Sequence, residues 1–412
     1  MDDNEAVKEP EFAVVGGGIA GCSLATMLAR AGARVLVLER QSAYRDQVRG
    51  EILWPWGVRL ARMLGIEPIL LDAGARVVRW LDTFDEGAPA TRDDVGEFVD
   101  GINGSLNIAH PRACSALATA AAAAGADIQR GARDIRVTTG KKPVLRWEDV
   151  GGSQRETRCR LIVGADGRRS SVRSQSGIAL EVDAPAHLIA GVLADGIEGI
   201  DEDANLIARE ADLSFFSFPQ GDGRARLYLC FPTPERSRFG GRNGARRFLK
   251  DCGLTCLEGA AAWTTARPVG PCATFPAEDS RTAHPLAEGI VLIGDAAGYE
   301  NPVEGQGLSM GLQDAHDVAT ALLSGATTTR ELGAYAADRA RRQRLANLGV
   351  ALQVWANDGF VVQDPEIRAA RFAHIRSDEI LSALELSFAT GFETLPQDLT
   401  HAELAARLEP CQ

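Results

Sequence analysis

Three glycines at one fixed spacing restrict this chain more than any other feature. Gly16, Gly18 and Gly21 form a G-x-G-x-x-G run directly after the apolar stretch FAVV and at the head of a helix-patterned segment, IAGCSLATMLARAG, with a second apolar run, ARVLVLER, close behind. That order predicts a strand, a tight turn, a helix and a second parallel strand, with Gly32 where a helix C-terminus needs glycine. Gly16 permits the turn, Gly18 lets backbone approach a pyrophosphate, and Gly21 lets helix and strand pack closely. Ile19 and Ala20 stand at the positive end of the helix. Glu39 closes the second strand about twenty residues on, followed by Arg40, at the position where a carboxylate accepts hydrogen bonds from an adenosine ribose. The unit predicts a bound dinucleotide, and by itself leaves NAD(H) and FAD both open.

Length and charge narrow the remaining classes. At 412 residues the chain exceeds what one hydrophobic core supports, so a two-lobed unit is expected. The formal net charge is −12, with Arg and Lys read as spread among acids, which removes the driving force for nucleic-acid binding. The N-terminal MDDNEAVKEP is acidic where a signal peptide is basic, and no segment offers about 18 uninterrupted apolar residues, so no integral membrane segment and a cytoplasmic location are expected. Eight scattered cysteines read as reduced thiols. Cys252 and Cys256 have neither a second ligand pair at zinc spacing nor the C-x-x-C of thiol exchange, and no metal is expected.

Further along, Pro55 opens a helix in RGEILWPWGVRLARMLGI, and a second helix runs from about Pro111 through ALATAAAAAGA. Short β-branched runs between Asp127 and Val163 predict a small antiparallel ribbon leading back to the parallel sheet. From about His187 to Phe275 longer strand-like runs follow, with LSFFSFP and RLYLCFP joined through Gln220, Gly221, Asp222 and Gly223 as a hairpin. The apolar run GIVLIGDAAG then returns to the first domain, and helical patterns continue nearly to the C-terminus.

Two later segments carry the resemblance that separates the cofactors. LIVGADGRRSSVR (161–173) and GIVLIGDAAGYENPVEGQGLSMGLQDA (289–315) resemble the second and third FAD motifs of the glutathione-reductase-type flavoproteins, which include the single-component aromatic hydroxylases (group A flavoprotein monooxygenases). The likeness extends to 49–66 and 110–121, in the family's order. It implies an α/β fold with a Rossmann-like FAD-binding domain (1–180 and 281–330), an inserted antiparallel-sheet substrate domain (181–280) and a C-terminal helical segment (331–412). It also implies FAD contacts for Arg49, Arg112, Asp166 and Gly167. Gly294 and Asp295 would meet the ribityl chain, and Pro302, Gly305, Gln306 and Gly307 would border the isoalloxazine ring, where a helix N-terminus stabilises the reduced anion.

The implied reaction is NAD(P)H- and O2-dependent hydroxylation, epoxidation or other oxygenation of an aromatic or polyketide-like small molecule through a flavin C4a-hydroperoxide. NAD(P)H would be a transient reductant, because no second strand-glycine-helix fingerprint occurs. Gly298 stands where such hydroxylases carry histidine, and Ser309 where they often carry asparagine. GDAAG and the Gly50-Glu51 pair are similar to the geranylgeranyl-reductase and halogenase branch, which keeps open a reductase or dehydrogenase, a halogenase or an inactive FAD-binding protein. WPWGVR lacks the ending of the halogenase tryptophan motif. No catalytic acid or base is assigned; Tyr228, His187 and Glu304 are pocket candidates only.

Overall fold

The computed structural model describes residues 9–46, 48, 50–357, 360–361 and 364–409. Its first layer is a six-stranded sheet ordered Leu286–Ala287, Ile290–Leu292, Leu161–Gly164, Phe12–Val15, Val35–Glu39, Asp127–Arg130, parallel except for the first pair. The four inner strands are apolar up to the terminal Glu39 because both faces are covered, whereas the edge strand Asp127–Arg130 is mostly polar. Val14 packs among residues of helices Ile19–Arg30 and Gly307–Leu323. Ala13 and Val15 pack on the other face with Leu145 and Trp147. Those last two belong to the antiparallel ribbon Arg133–Thr138, Val144–Glu148, Gln154–Arg158, formed where the turn residues between 127 and 163 placed it.

The second layer is an eight-stranded sheet ordered Arg267–Pro268, His187–Asp195, Arg224–Phe231, Leu213–Gly221, Ala204–Glu210, Trp80–Asp85, Thr91–Asp94, with Ala273–Ala277 also paired to His187–Asp195. The hairpin closes through Asp222 and Gly223, both at positive φ. Two of these strands come from outside 181–280. Trp80–Asp85 pairs in parallel with Ala204–Glu210, so the hairpin at 80–94 extends this sheet. Alternation along the strands divides the sheet into two faces. Leu227, Leu229 and Phe231 enter a core with Phe248 and Leu249 of helix Gly244–Asp251, whereas Tyr228 and Cys230 face a cavity.

Helices Gly333–Ala356, Pro365–Ser377, Glu379–Thr390 and His401–Leu408 follow the third motif, and residues of the second and third of these roof that cavity. The two tryptophans of WPW act as clamps. Trp54 Nε1 donates to the Glu304 carbonyl at 2.9 Å and Trp56 Nε1 to the Phe388 carbonyl at 2.9 Å. No described helix is long and apolar enough to cross a membrane. The seven described cysteines are free; Cys411 lies outside the described residues.

Candidate functional site

One continuous cavity of about 1230 Å³ runs from the glycine loop to the face of the eight-stranded sheet. At its first end the three glycines differ in what makes them necessary. Gly16 has φ +110°, and a Cβ there would sit 2.2 Å from the Ala165 carbonyl oxygen; one at Gly21 would sit 2.1 Å from that of Gly16. A Cβ at Gly18 would meet nothing within 4 Å. Protein packing therefore demands glycine at 16 and 21, while the bare backbone at 18 opens onto the cavity. Gly16, Gly18, Ile19, Ala20, Glu39 and Arg40 all line this end. Glu39 is tied to the loop: its carboxylate accepts from Gly17 N at 2.8 Å and Gln41 N at 2.7 Å.

The second and third motifs arrive from adjacent parallel strands. Asp166, Gly167, Gly294 and Asp295 line the cavity. The Asp166 carboxylate, however, caps helix Ser171–Gln175, accepting from Ser171 N at 2.6 Å and Val172 N at 3.2 Å. Asp295 keeps its carboxylate toward the cavity, with Arg168 Nε 3.7 Å away; the Arg168 guanidinium lies 4.3 Å over the Tyr299 ring. Pro302, Gly305 and Gly307 border the cavity, whereas Gln306 is buried behind them and donates to Glu304 at 2.6 Å. Arg112 is exposed and lies outside the lining, because its turn of helix His110–Ala123 directs it away; His110 and Cys114 line the wall instead. Arg49 lies outside the described residues.

Buried polar atoms cluster along the loop that ends the third motif. Glu300 and Glu304 are 7% and 6% exposed, both line the cavity, and each has a carboxyl oxygen without a partner among the described residues. Burial pushes both carboxyls up to about 8, so both are largely protonated at neutral pH. A polar ligand would satisfy such orphaned atoms. Behind the loop sits a network that sequence reasoning missed. Asp314, fully buried, accepts from Gly294 N at 2.8 Å, Arg339 at 2.9 Å and Arg342 at 3.0 Å. The charged residue inside GLQDA, at a core-facing helical position, was its only sequence signal.

The two departures from the hydroxylase pattern have local causes. Gly298 has φ +124°, and a Cβ would come within 2.6 Å of the Ser280 carbonyl oxygen. Ser309 is fully buried with its hydroxyl against Gly57, where a Cβ would lie 2.1 Å away, so a larger residue there would collide with the neighbouring helix.

At the far end the cavity is walled by Trp54, Phe216, Phe218, Phe275, Phe372 and Phe388. Charged residues interrupt this aromatic wall: Arg209, paired with Asp85 at 2.9 Å, lies over the Phe372 ring, and a further cluster centres on Glu51. Tyr228 donates its phenol to Glu51, which also accepts from Arg226 Nε at 3.1 Å; Arg226 reaches Asp46 at 2.5 Å. Glu51 and Arg226 are each 3% exposed. Burial raises the Glu51 carboxyl and the Arg226 charge opposes that rise. Tyr228 and Glu51 line the cavity, as does Glu304.

His187 does not. It is fully buried, its ring centroid 4.0 Å from that of Phe360, and both ring nitrogens lack partners among the described residues. Burial drives it down from 6.5 to about 3. Because the fold binds the neutral ring, stability is complete above pH 6.5 and is lost as pH falls toward 3, up to about 4–5 kcal/mol at the limit. His187→Phe should remove this acid limb in a series of melting temperatures against pH; an unchanged limb would assign it elsewhere.

A family model described as FAD binding domain matches residues 9–347, most of the chain. The chain belongs to the FAD binding domain family. Among its relatives, digeranylgeranylglycerophospholipid reductase 2 of Methanothermobacter thermautotrophicus is 27% identical over 343 residues, covering 79% of this chain and 82% of the relative. The 6-methylpretetramide 4-monooxygenase of Streptomyces rimosus is 27% identical over 335 residues, covering 74% of this chain and 73% of the relative. The fold is that of p-nitrophenol 4-monooxygenase PnpA from Pseudomonas putida DLL-E4, with a TM-score of 0.77 at 18% identity over 94% of this chain and 99% of that one. The cofactor left open by the glycine loop is thus FAD. The cavity fits it: an elongated space, a glycine at 18 that no protein atom requires, and unpartnered buried carboxyl oxygens along the 300–304 turn.

Proposed function

We propose that this protein is an FAD-dependent monooxygenase that uses NAD(P)H and O2 to oxygenate a hydroxylated aromatic or polyketide-like molecule. The observation that carries the reading is the single cavity joining the FAD motifs to an aromatic chamber whose wall holds a Tyr228–Glu51–Arg226 chain. FAD supplies hydride acceptance and oxygen activation when bound. The chain's own residues do the rest. The loop at Gly16, Gly18, Ile19 and Ala20 would hold the pyrophosphate, Glu39 the adenosine ribose and Asp295 the ribityl hydroxyls, with Pro302, Gly305 and Gly307 beside the ring.

Tyr228 gives its proton to Glu51 in a hydrogen bond, so its oxygen is free to accept one from a substrate hydroxyl. Arg226 keeps Glu51 an acceptor, and the chain as a whole would orient that hydroxyl and draw electron density onto the substrate ring. The aromatic walls would hold the flat body of the molecule and exclude water.

A reductase reading draws support from the digeranylgeranylglycerophospholipid reductase relative and from Gly298. The two separate under 18O2, with NAD(P)H consumption followed against phenolic, polyketide and alkene compounds. Oxygenation predicts one labelled oxygen in the product. Substrate reduction that proceeds without oxygen, and yields unlabelled product, would replace the proposal.

A further inference from the structure

The stretch 236–250 reverses the charge balance of the chain. It holds Arg236, Arg238, Arg242, Arg246, Arg247 and Lys250 and no carboxylate, in a chain of net charge −12. The expectation that cations are dispersed among acids fails here. Arg238 is neutralised by Asp212, Asp251 and Glu235 at 2.6, 2.9 and 2.9 Å. Arg247 is committed to the carbonyls of Arg238 and Gly240. Arg236, Arg242, Arg246 and Lys250 are exposed and form no ion pair among the described residues. Like charges gathered without counter-charge repel one another, and an anion from outside the chain would relieve them.

A cleft of about 390 Å³ lies among these residues, lined by Arg236, Gly240, Gly241, Arg242, Cys272 and Thr274. Its position relative to the large cavity matters. Thr274 lies on strand Ala273–Ala277, and the next residue, Phe275, lines the large cavity and packs against the same core cluster as Val303 of the turn Pro302–Glu304. Successive side chains of a strand point to opposite faces, so the cleft and the FAD cavity share a wall one strand thick.

We propose that this cleft holds the phosphate groups of the NAD(P)H that reduces the enzyme, with Arg236 and Arg242 as the phosphate ligands. The inference rests on the monooxygenase reading for the identity of the anion. A dinucleotide needs either a glycine loop at a strand end or cationic side chains for its phosphates, and the only strand-glycine-helix fingerprint of the sequence belongs to FAD. Two guanidinium forks match phosphate oxygens, and the Thr274 hydroxyl adds a donor. At about 390 Å³ the cleft has room for phosphates and part of a ribose but not for a whole dinucleotide, so the nicotinamide would lie outside it.

Adenosine 2′,5′-bisphosphate, NADPH and NADH are titrated calorimetrically into the FAD-loaded protein and into Arg242→Gln and Arg236→Gln/Arg242→Gln variants, at two salt concentrations. The expected result is that the double variant weakens bisphosphate and NADPH binding by about tenfold or more, a change read directly in Kd. Wild-type binding should fall steeply with salt. KM for NADPH rises while kcat, FAD content and melting temperature stay unchanged. Equal binding by wild type and variants, or no bisphosphate binding by wild type, overturns the proposal. Should the chain take up no FAD, the cofactor reading fails by itself, and the difference in bisphosphate affinity between the FAD-free wild type and double variant still decides whether the cleft binds phosphate.

Discussion

Gly21→Ala should raise the dissociation constant for FAD by about 100-fold, the result of overpacking a helix against the strand that presents the phosphate loop. The added Cβ would lie 2.1 Å from the Gly16 carbonyl oxygen, so helix Ile19–Arg30 must move away and carry the loop with it. Such a variant could lose FAD simply by unfolding, and Gly18→Ala separates the two effects. Its Cβ would touch no protein atom, so the melting temperature of the FAD-free protein should match wild type while FAD affinity falls. Unchanged FAD affinity in Gly18→Ala would remove the pyrophosphate from that loop.

The second large effect concerns the buried chain beneath the sheet. Glu51→Leu leaves Arg226, 3% exposed, with Asp46 as its remaining carboxylate and takes away the acceptor of the Tyr228 phenol. Removing one partner of a buried ion pair costs about 3–5 kcal/mol, and the bond that Asp46 keeps to Arg226 holds the loss to the lower end of that range. Urea unfolding should record a loss of that order. Replacing both partners, Glu51→Leu with Arg226→Met, should recover much of it, because no charge is then left buried. Additive single losses in that cycle would mean the pair is not coupled. Tyr228→Phe keeps the ring and its edge contact with Phe218, 6.1 Å between centroids, so the stability loss should be confined to the one bond to Glu51, about 1–2 kcal/mol. Turnover of a hydroxylated substrate should nevertheless fall by about 10²–10⁴-fold, the usual worth of a positioned proton-handling group. A variant that turns over normally would leave Tyr228 a wall residue only.

What could be read in the sequence was what neighbouring residues dictate. The strand, glycine turn and helix at 12–32, the proline-led helix at 55, the hairpin through 220–223 and the strand that delivers Asp295 are all local patterns, and each formed where it was expected. Contacts between distant segments left no comparable trace. The hairpin at 80–94 joins a sheet whose other strands begin a hundred residues later, a pairing set by tertiary packing and not by its own alternation. Glu51 meets Arg226 and Tyr228 across 175 and 177 residues, and Asp314 meets Arg339 and Arg342 across 25 and 28. A buried ion pair cannot be told from two surface charges until the fold brings them together. Asp166 and Arg112 show a further effect of the local fold. Each occupies its motif position, yet a helix cap takes the carboxylate of one and the helix turn exposes the other.

The most direct test is an equilibrium titration of the purified, FAD-free chain with FAD, followed by flavin absorbance and fluorescence. One FAD bound per chain, tightly enough to survive gel filtration and with a visible spectrum shifted from that of free flavin, is the predicted result. A chain that stays colourless and folded at saturating FAD would contradict the assignment of the cavity, and with it the proposed oxygenation.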